Sequence, residues 1–355
     1  MTVPAGATPD PAGTVPAVTV PAGIGPVGTG PVGTGQRWAG SGGWAVFFGR
    51  RLIRLAVSLL ILVSATFLMI HMIPGDPVQA ALGEQATAEV VALRRHELGL
   101  DRPLPEQYLG YLGGVFTGDF GRSIVTGARV SELLQTRVPN TLRLALPAFL
   151  LVVLVAVPLG LFTAVRTRGG RGRPTRALFV SATGLFNSVP DYVLGTLLSV
   201  AFVVGIKAFP AAGNAEPSAY VLPIAALVAA PAASLSRIVR VEALKVLDTE
   251  YVRAARARRV PTLLRYWRHV LPNMMTAALT YGAMILSGLI AGTVLVENVF
   301  GWPGLGTVIS QAVIQKDYPL IQGVLLVLGA AVLALNTIVD VALAMLDPRS
   351  RVRTL

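Results

Sequence analysis

The feature that leaves this chain fewest options is a series of long apolar runs at residues 55–73, 144–165, 177–206, 220–235, 274–296 and 321–346. A helix rising 1.5 Å per residue crosses ~30 Å of hydrocarbon in about 20 residues, and in lipid only a helix or a closed barrel satisfies its own backbone. The expected fold class is therefore all-α integral membrane, with about six transmembrane helices. The run at 177–206 is broken near Pro190-Asp191. The run at 220–235 is short, rich in Ala and carries Pro223 and Pro231, which suits a helix buried among other helices. Arg50 and Arg51 precede the first run, but no small-residue cleavage site follows it, so a span is expected and not a signal peptide.

Residues 1–49 repeat Pro, Ala, Gly, Val and Thr with almost no charge, the composition of a disordered tail, and receive no role. The net charge of +12 does not imply nucleic acid, because the basic residues sit between apolar runs and not across a polar fold. They work instead as orientation signals. Between the second and third runs stand Arg166, Arg168, Arg171, Arg173 and Arg176 with no acid, and between the fourth and fifth nine basic residues face three acids. Residues 74–140 hold eight acids and six bases. The alternation places both termini and the two arginine-rich connections in the cytoplasm. Residues 50–73 form the first span, 74–140 an extracytoplasmic segment, 141–348 a core of five spans and 349–355 a cytoplasmic end.

The connection at 237–272 is too long for a plain turn. Leu244, Leu247, Tyr251 and Ala255 recur at helical spacing, while Lys245, Asp248, Arg256 and Arg259 fall largely elsewhere. The pattern predicts a short amphipathic helix outside the membrane. From the pattern alone, such a helix could equally lie on the bilayer surface with its arginines on anionic lipid.

Chemistry is bounded mainly by what is missing. There is no cysteine, and His numbers three, so no thiolate chemistry or dense metal site is expected. Neither a Gly-x-Ser-x-Gly elbow, a His-Glu-x-x-His pair nor a phosphate-binding Gly-x-x-x-x-Gly-Lys loop occurs, so no catalytic residue, no resident cofactor and no ATP hydrolysis by this chain are expected. Polar groups within spans point to a pathway. They are few: Asn187 and Asp191 at the break of the third run, Glu297 with the nearby Trp302 at the outer end of the fifth, and Asn336 and Asp340 on one face of the sixth. For Asp340 a clamp between helices is as plausible as solute contact. A secondary carrier acting without an ATPase and a non-transport membrane scaffold remain open on these grounds.

Ordered motifs narrow the choice. Asp248-Thr249-Glu250-Tyr251-Val252-Arg253-Ala254-Ala255-Arg256, closed by Leu271-Pro272, resembles the cytoplasmic coupling loop of binding-protein-dependent ABC importer permeases. Ala254 and Ala255 fit that family's paired alanines, whereas Arg253 replaces its Glu and Arg259 its Gly, the residue that permits the turn after the helix at low conformational cost. Pro74-Gly75-Asp76-Pro77, Leu98-Gly99-Leu100-Asp101-Arg102-Pro103, Gly118-Asp119-Phe120-Gly121, Ser188-Val189-Pro190-Asp191-Tyr192 and Glu297-Asn298-Val299-Phe300-Gly301-Trp302-Pro303-Gly304 are similar, in that order, to the dipeptide, oligopeptide and nickel branch, as is the closing Asp347-Pro348-Arg349. The resemblance implies a type I importer architecture, and ATPase contact through Leu244, Asp248, Tyr251, Arg253, Ala254, Ala255, Arg256, Arg259, Leu271 and Pro272. It also implies ATPase subunits that bind the ATP, a second permease that is a paralogue, and an extracytoplasmic solute-binding protein as partners. Asn187, Asp191, Glu297 and Trp302 are the expected path or gate residues.

Overall fold

In the computed structural model, residues 42–72, 76–83 and 85–346 are described. Contacts divide the chain into Met1–Gly49, of which residues 42–49 are the helical start of α1, and Arg50–Leu355, which holds the helix bundle. The tail assignment for residues 1–41, the Pro74-Gly75 turn and the closing Asp347-Pro348-Arg349 lie outside the described residues.

Among the described residues there is no strand, only an isolated bridge between Arg122 and Arg129. Helix α1 runs Gly42–His71, followed by the short α2 (Pro77–Leu82), α3 (Ala88–Glu97) and α4 (Leu104–Thr117). The long α5 (Val130–Thr167) leads to α6 (Arg173–Ser188) and α7 (Asp191–Leu198), which continues as a π-helical stretch over Ser199–Gly205. Then come α8 (Val221–Leu247), α9 (Glu250–Ala257), α10 (Thr262–Arg265) with a π-helical run Tyr266–Val270, α11 (Leu271–Val299), α12 (Leu305–Ile314) and α13 (Tyr318–Leu346).

Five helical segments are long and apolar enough to cross a membrane: Phe48–His71, Val130–Gly170, Pro217–Leu247, Thr280–Val299 and Tyr318–Val341. The sixth expected span is a bent pair, Arg173–Ser188 and Asp191–Gly205, which meet at 93°. Pro190 explains the bend: its ring disfavours the helical region for the residue before it, and Val189 is accordingly extended at φ −100°, ψ 119°.

Helices α5 and α8 form the axis of the bundle. Leu144, Ala148, Val152 and Ala156 recur every fourth residue on α5 and are fully buried in one cluster with Leu227, Leu235 and Val239 of α8. Close approach is made possible by Gly160, where a Cβ would lie 2.6 Å from Val239 Cγ1 and 2.7 Å from the Ser236 carbonyl. The opposite face of α5 exposes Leu146, Leu150 and Leu154, so the helix is apolar on both sides.

A second cluster ties α13 to α5 and to the segment after α4, through Val324, Val130 and Ile124. Polar clamps fix α1 against α13: Gln322 donates from Nε2 to the Thr66 carbonyl at 2.8 Å, and Arg51 pairs with Asp340. Asn336 accepts the Ser287 hydroxyl of α11 at 2.8 Å. Asn336 and Asp340 of the sixth apolar run therefore both bond to a neighbouring helix.

Candidate functional site

Two regions carry the residues singled out by sequence, one at each end of the bundle. At the arginine-rich end, α8 runs on to Leu247 and stops because Asp248 and Thr249 turn the chain. The Asp248 N–H donates to the Lys245 carbonyl at 3.3 Å, and the Thr249 hydroxyl donates to the Val246 carbonyl at 2.6 Å, a local bond that competes with helix continuation. This corrects the expected amphipathic helix: Leu244 and Leu247 belong to the spanning helix, and the separate helix is only Glu250–Ala257. The spacing Leu244, Leu247, Tyr251, Ala255 does not form one face, because the break falls between its second and third members.

Helix α9 buries Val252 and Ala255 and exposes Tyr251, Arg253, Ala254 and Arg256. The helix ends in a Schellman motif, with Arg259 N–H donating to the Arg256 carbonyl at 3.0 Å and Val260 N–H to the Ala255 carbonyl at 3.2 Å. Arg259 takes the left-handed conformation there, φ 57°, so the turn for which glycine is suited is made by an arginine. Pro261 then caps α10, and the π-helical run delivers Leu271 and Pro272 to the first turn of α11.

Asp248 is not on α9 but is held beside it by Arg168, whose Nη2 lies 2.8 Å and Nε 3.0 Å from Oδ1. This pair joins the two arginine-rich connections. Arg168 appeared in the sequence only as one of five orientation charges, and its position in a short loop gave no hint of a partner 80 residues away.

Three α8 side chains, spaced by three, bond to α5 and α6. Arg240 donates to the Thr167 hydroxyl at 2.9 Å, Arg237 to the Thr183 hydroxyl at 2.7 Å, and Ser234 to Asn187 Oδ1 at 2.6 Å. Asn187 is exposed, and Asp191, half-buried, opens α7 on the other side of the 93° bend.

At the opposite end stand Glu297 and Trp302. Both are fully buried. Glu297 Oε2 accepts the Gly306 N–H at 2.6 Å, and a Cβ at Gly304 would lie 2.4 Å from the same carboxylate. The Trp302 indole donates to the Asn140 carbonyl at 3.0 Å and stands edge-on to Tyr220. Asn140 also donates to the Pro303 carbonyl at 2.9 Å, and the Thr141 hydroxyl accepts the Leu305 N–H at 2.9 Å. The glycines let the chain at 300–306 close down on the buried carboxylate, so that the Gly306 N–H reaches one of its oxygens. Glu297 is thus a fastener of that loop.

Asp317, which drew no attention in the sequence, has a similar task. It is fully buried between α12 and α13, where it accepts the Ser123 hydroxyl and the Ile124 N–H, the latter at 3.1 Å. The available signal was a lone carboxylate in the three-residue connection 315–317, too short to need a solubilising charge. Nearby, a half-open cavity of about 310 Å³ is lined by Phe67, His71, Gln107, Tyr111 and Asp119. Among the described residues no group of His, Asp or Glu is arranged to hold a metal.

The fold and this end-to-end arrangement define a multi-pass helical membrane subunit with a short solvent-exposed helix between two of its spans. The chain belongs to the family of binding-protein-dependent transport system inner membrane components, whose profile matches residues 156–352, with the N-terminal profile of the same family over 45–145. It is 36% identical over 304 residues to a glutathione transport system permease protein of Salmonella typhimurium, covering 85% of this chain and 97% of that one. The Escherichia coli K12 counterpart is 34% identical over 302 residues, with the same coverage. A chain of the MetNI methionine ABC transporter, in an inward-facing conformation, shares the fold with a TM-score of 0.52 at 21% identity, over 61% of this chain and 96% of that one. The protein is the permease component of an ABC importer, in the cytoplasmic membrane, and a transport subunit and not an enzyme. Membership implies an ATPase and a binding protein as partners.

Proposed function

We propose that this permease imports small peptides, handed over by an extracytoplasmic binding protein, and receives its driving force through the exposed face of α9. The observation that carries the reading is that Tyr251, Arg253, Ala254 and Arg256 are presented to solvent at the arginine-rich end, while Val252 and Ala255 anchor the helix to the bundle. The charge distribution favours that end as cytoplasmic, with both termini on the same side. Glutathione, for which the relatives are named, is itself a small peptide, which supports the substrate class. Asn187 and Asp191, at the bend, border the path in this reading. A paralogous second permease completes it by covering lipid-length apolar faces such as that of α5.

The experiment follows from the burial pattern. Ala254→Glu places a charge on the exposed face and should abolish recovery of an ATPase on purification while leaving the chain inserted and monodisperse. Ala255→Glu would instead place the charge in the bundle and lower folded yield. Unchanged ATPase recovery and uptake in Ala254→Glu would refute the docking assignment. A carrier acting without an ATPase would show ion-driven flux in vesicles holding this chain alone, and that outcome would overturn the proposal.

A further inference from the structure

We infer that the cleft between the end of α5 and α9 is a binding site for a phosphate group. The cleft has a volume of about 430 Å³ and is walled by Arg168, Arg171 and Arg256, with Val165, Leu247 and Tyr266 as its apolar side. No acid lines it. Asp248, outside the lining, engages Nε and Nη2 of Arg168, but Nη1 of the same guanidinium is buried without a partner. Arg171 and Arg256 pair with nothing among the described residues, and both are exposed.

Three cations around one volume repel one another, and a buried guanidinium donor left unbonded is costly. A single anion with several acceptor oxygens relieves both. Phosphate matches better than a carboxylate, since it carries more charge and offers oxygens to more than one planar guanidinium fork. The cleft is several times larger than a phosphate, and the side formed by Val165, Leu247 and Tyr266 suits an organic substituent. Val165, the last residue of the second apolar run, belongs to the lining, so the cleft begins where that run ends. A phospholipid headgroup and a soluble phosphate therefore share the required chemistry. The inference does not rest on ATPase docking, because it concerns this chain alone.

The test uses the purified full chain in phosphate-free maltoside micelles, with phosphatidylglycerol and orthophosphate as separate probes, read by native mass spectrometry and by phosphorus-31 line broadening. Wild type should hold one probe about tenfold more tightly than Arg171→Gln/Arg256→Gln, the loss expected for charge-assisted contacts. Arg258→Gln/Arg268→Gln, which removes equal charge outside the lining, should bind as wild type. Arg171→Lys/Arg256→Lys should restore part of the affinity, which shows that the Gln variant has not simply misfolded. Retention of phosphatidylglycerol with no response to orthophosphate identifies a headgroup site, and the reverse identifies a soluble phosphate. Equal loss in the control pair, or no binding of either probe by wild type, overturns the inference.

Discussion

Arg259→Gly should make the end of α9 more stable, although it deletes a charge from the segment expected to meet an ATPase. A non-glycine residue in the left-handed region pays about 1–2 kcal/mol for the approach of Cβ to the carbonyl oxygen. Arg259 sits there at φ 57°. Glycine removes that strain, but its freer unfolded backbone returns about 0.4–1 kcal/mol, leaving a net gain of about 0.5–1 kcal/mol. The amides that report this are those of Arg259 and Val260, which donate to Arg256 and Ala255. Their hydrogen-exchange protection should rise about two- to fivefold in the variant, since local opening is measured by those bonds. Arg259→Ala keeps a Cβ and loses the charge, so it should exchange as wild type does, while Arg259→Val should exchange faster because a β-branched residue tolerates this region poorly. Equal or lower protection in the glycine variant, with the rest of the bundle unchanged, would refute the reasoning.

Other perturbations test the fasteners. Gly306→Ala would set a Cβ 2.5 Å from the Val294 backbone and should cost about 1–3 kcal/mol by overpacking, seen as a lower midpoint for loss of monodispersity on heating. Asp317→Ala leaves the buried Ser123 hydroxyl and Ile124 N–H without an acceptor, about 1–3 kcal/mol for each unsatisfied group, and should expose residues 118–129 to protease; Asp317→Asn should be milder. Ser234→Ala removes the bond to Asn187, worth about 0.5–1.5 kcal/mol, and should weaken solute-stimulated ATP hydrolysis by the assembled importer without reducing ATPase recovery. Unchanged stimulation would show that this bond plays no part in transport.

The spans were legible because a lipid-crossing helix must be apolar along its whole length, a signal that survives without any knowledge of neighbours. The bend at Pro190 was legible for the same local reason, since proline constrains Val189 whatever surrounds it. Helix boundaries at the arginine-rich end were not. Leu244 to Ala255 keeps helical spacing, and only the hydroxyl of Thr249 turning back to Val246 reveals that two helices share it. The surroundings of Glu297 and Trp302 were not legible either, because a carboxylate and an indole near a span end look alike whether they face a path or a glycine loop. What decides is the backbone donor at Gly306 and the Asn140 carbonyl, partners 9 and 162 residues away. Of the long-range pair Ser123 with Asp317 the local pattern carries only the lone carboxylate in a short connection and nothing of its partner.

Helix α8 links the proposed docking helix α9 to the proposed path residues. Its last turns lead through Asp248 and Thr249 into α9, so a force on α9 acts first on this helix. Arg240, Arg237 and Ser234, one per turn on a single face, carry bonds to the end of α5, to α6 and to Asn187 beside the bend. Close packing at Gly160 leaves α5 little room to slide past α8, and a packed interface of that kind shifts as a body and does not deform. A displacement of α9 therefore has a bonded route to the α6–α7 corner, where Asp191 and Asn187 stand. Spatial linkage alone is not energetic coupling. The Ser234→Ala variant is informative because it cuts the last bond of that route and leaves the proposed docking face of α9 untouched.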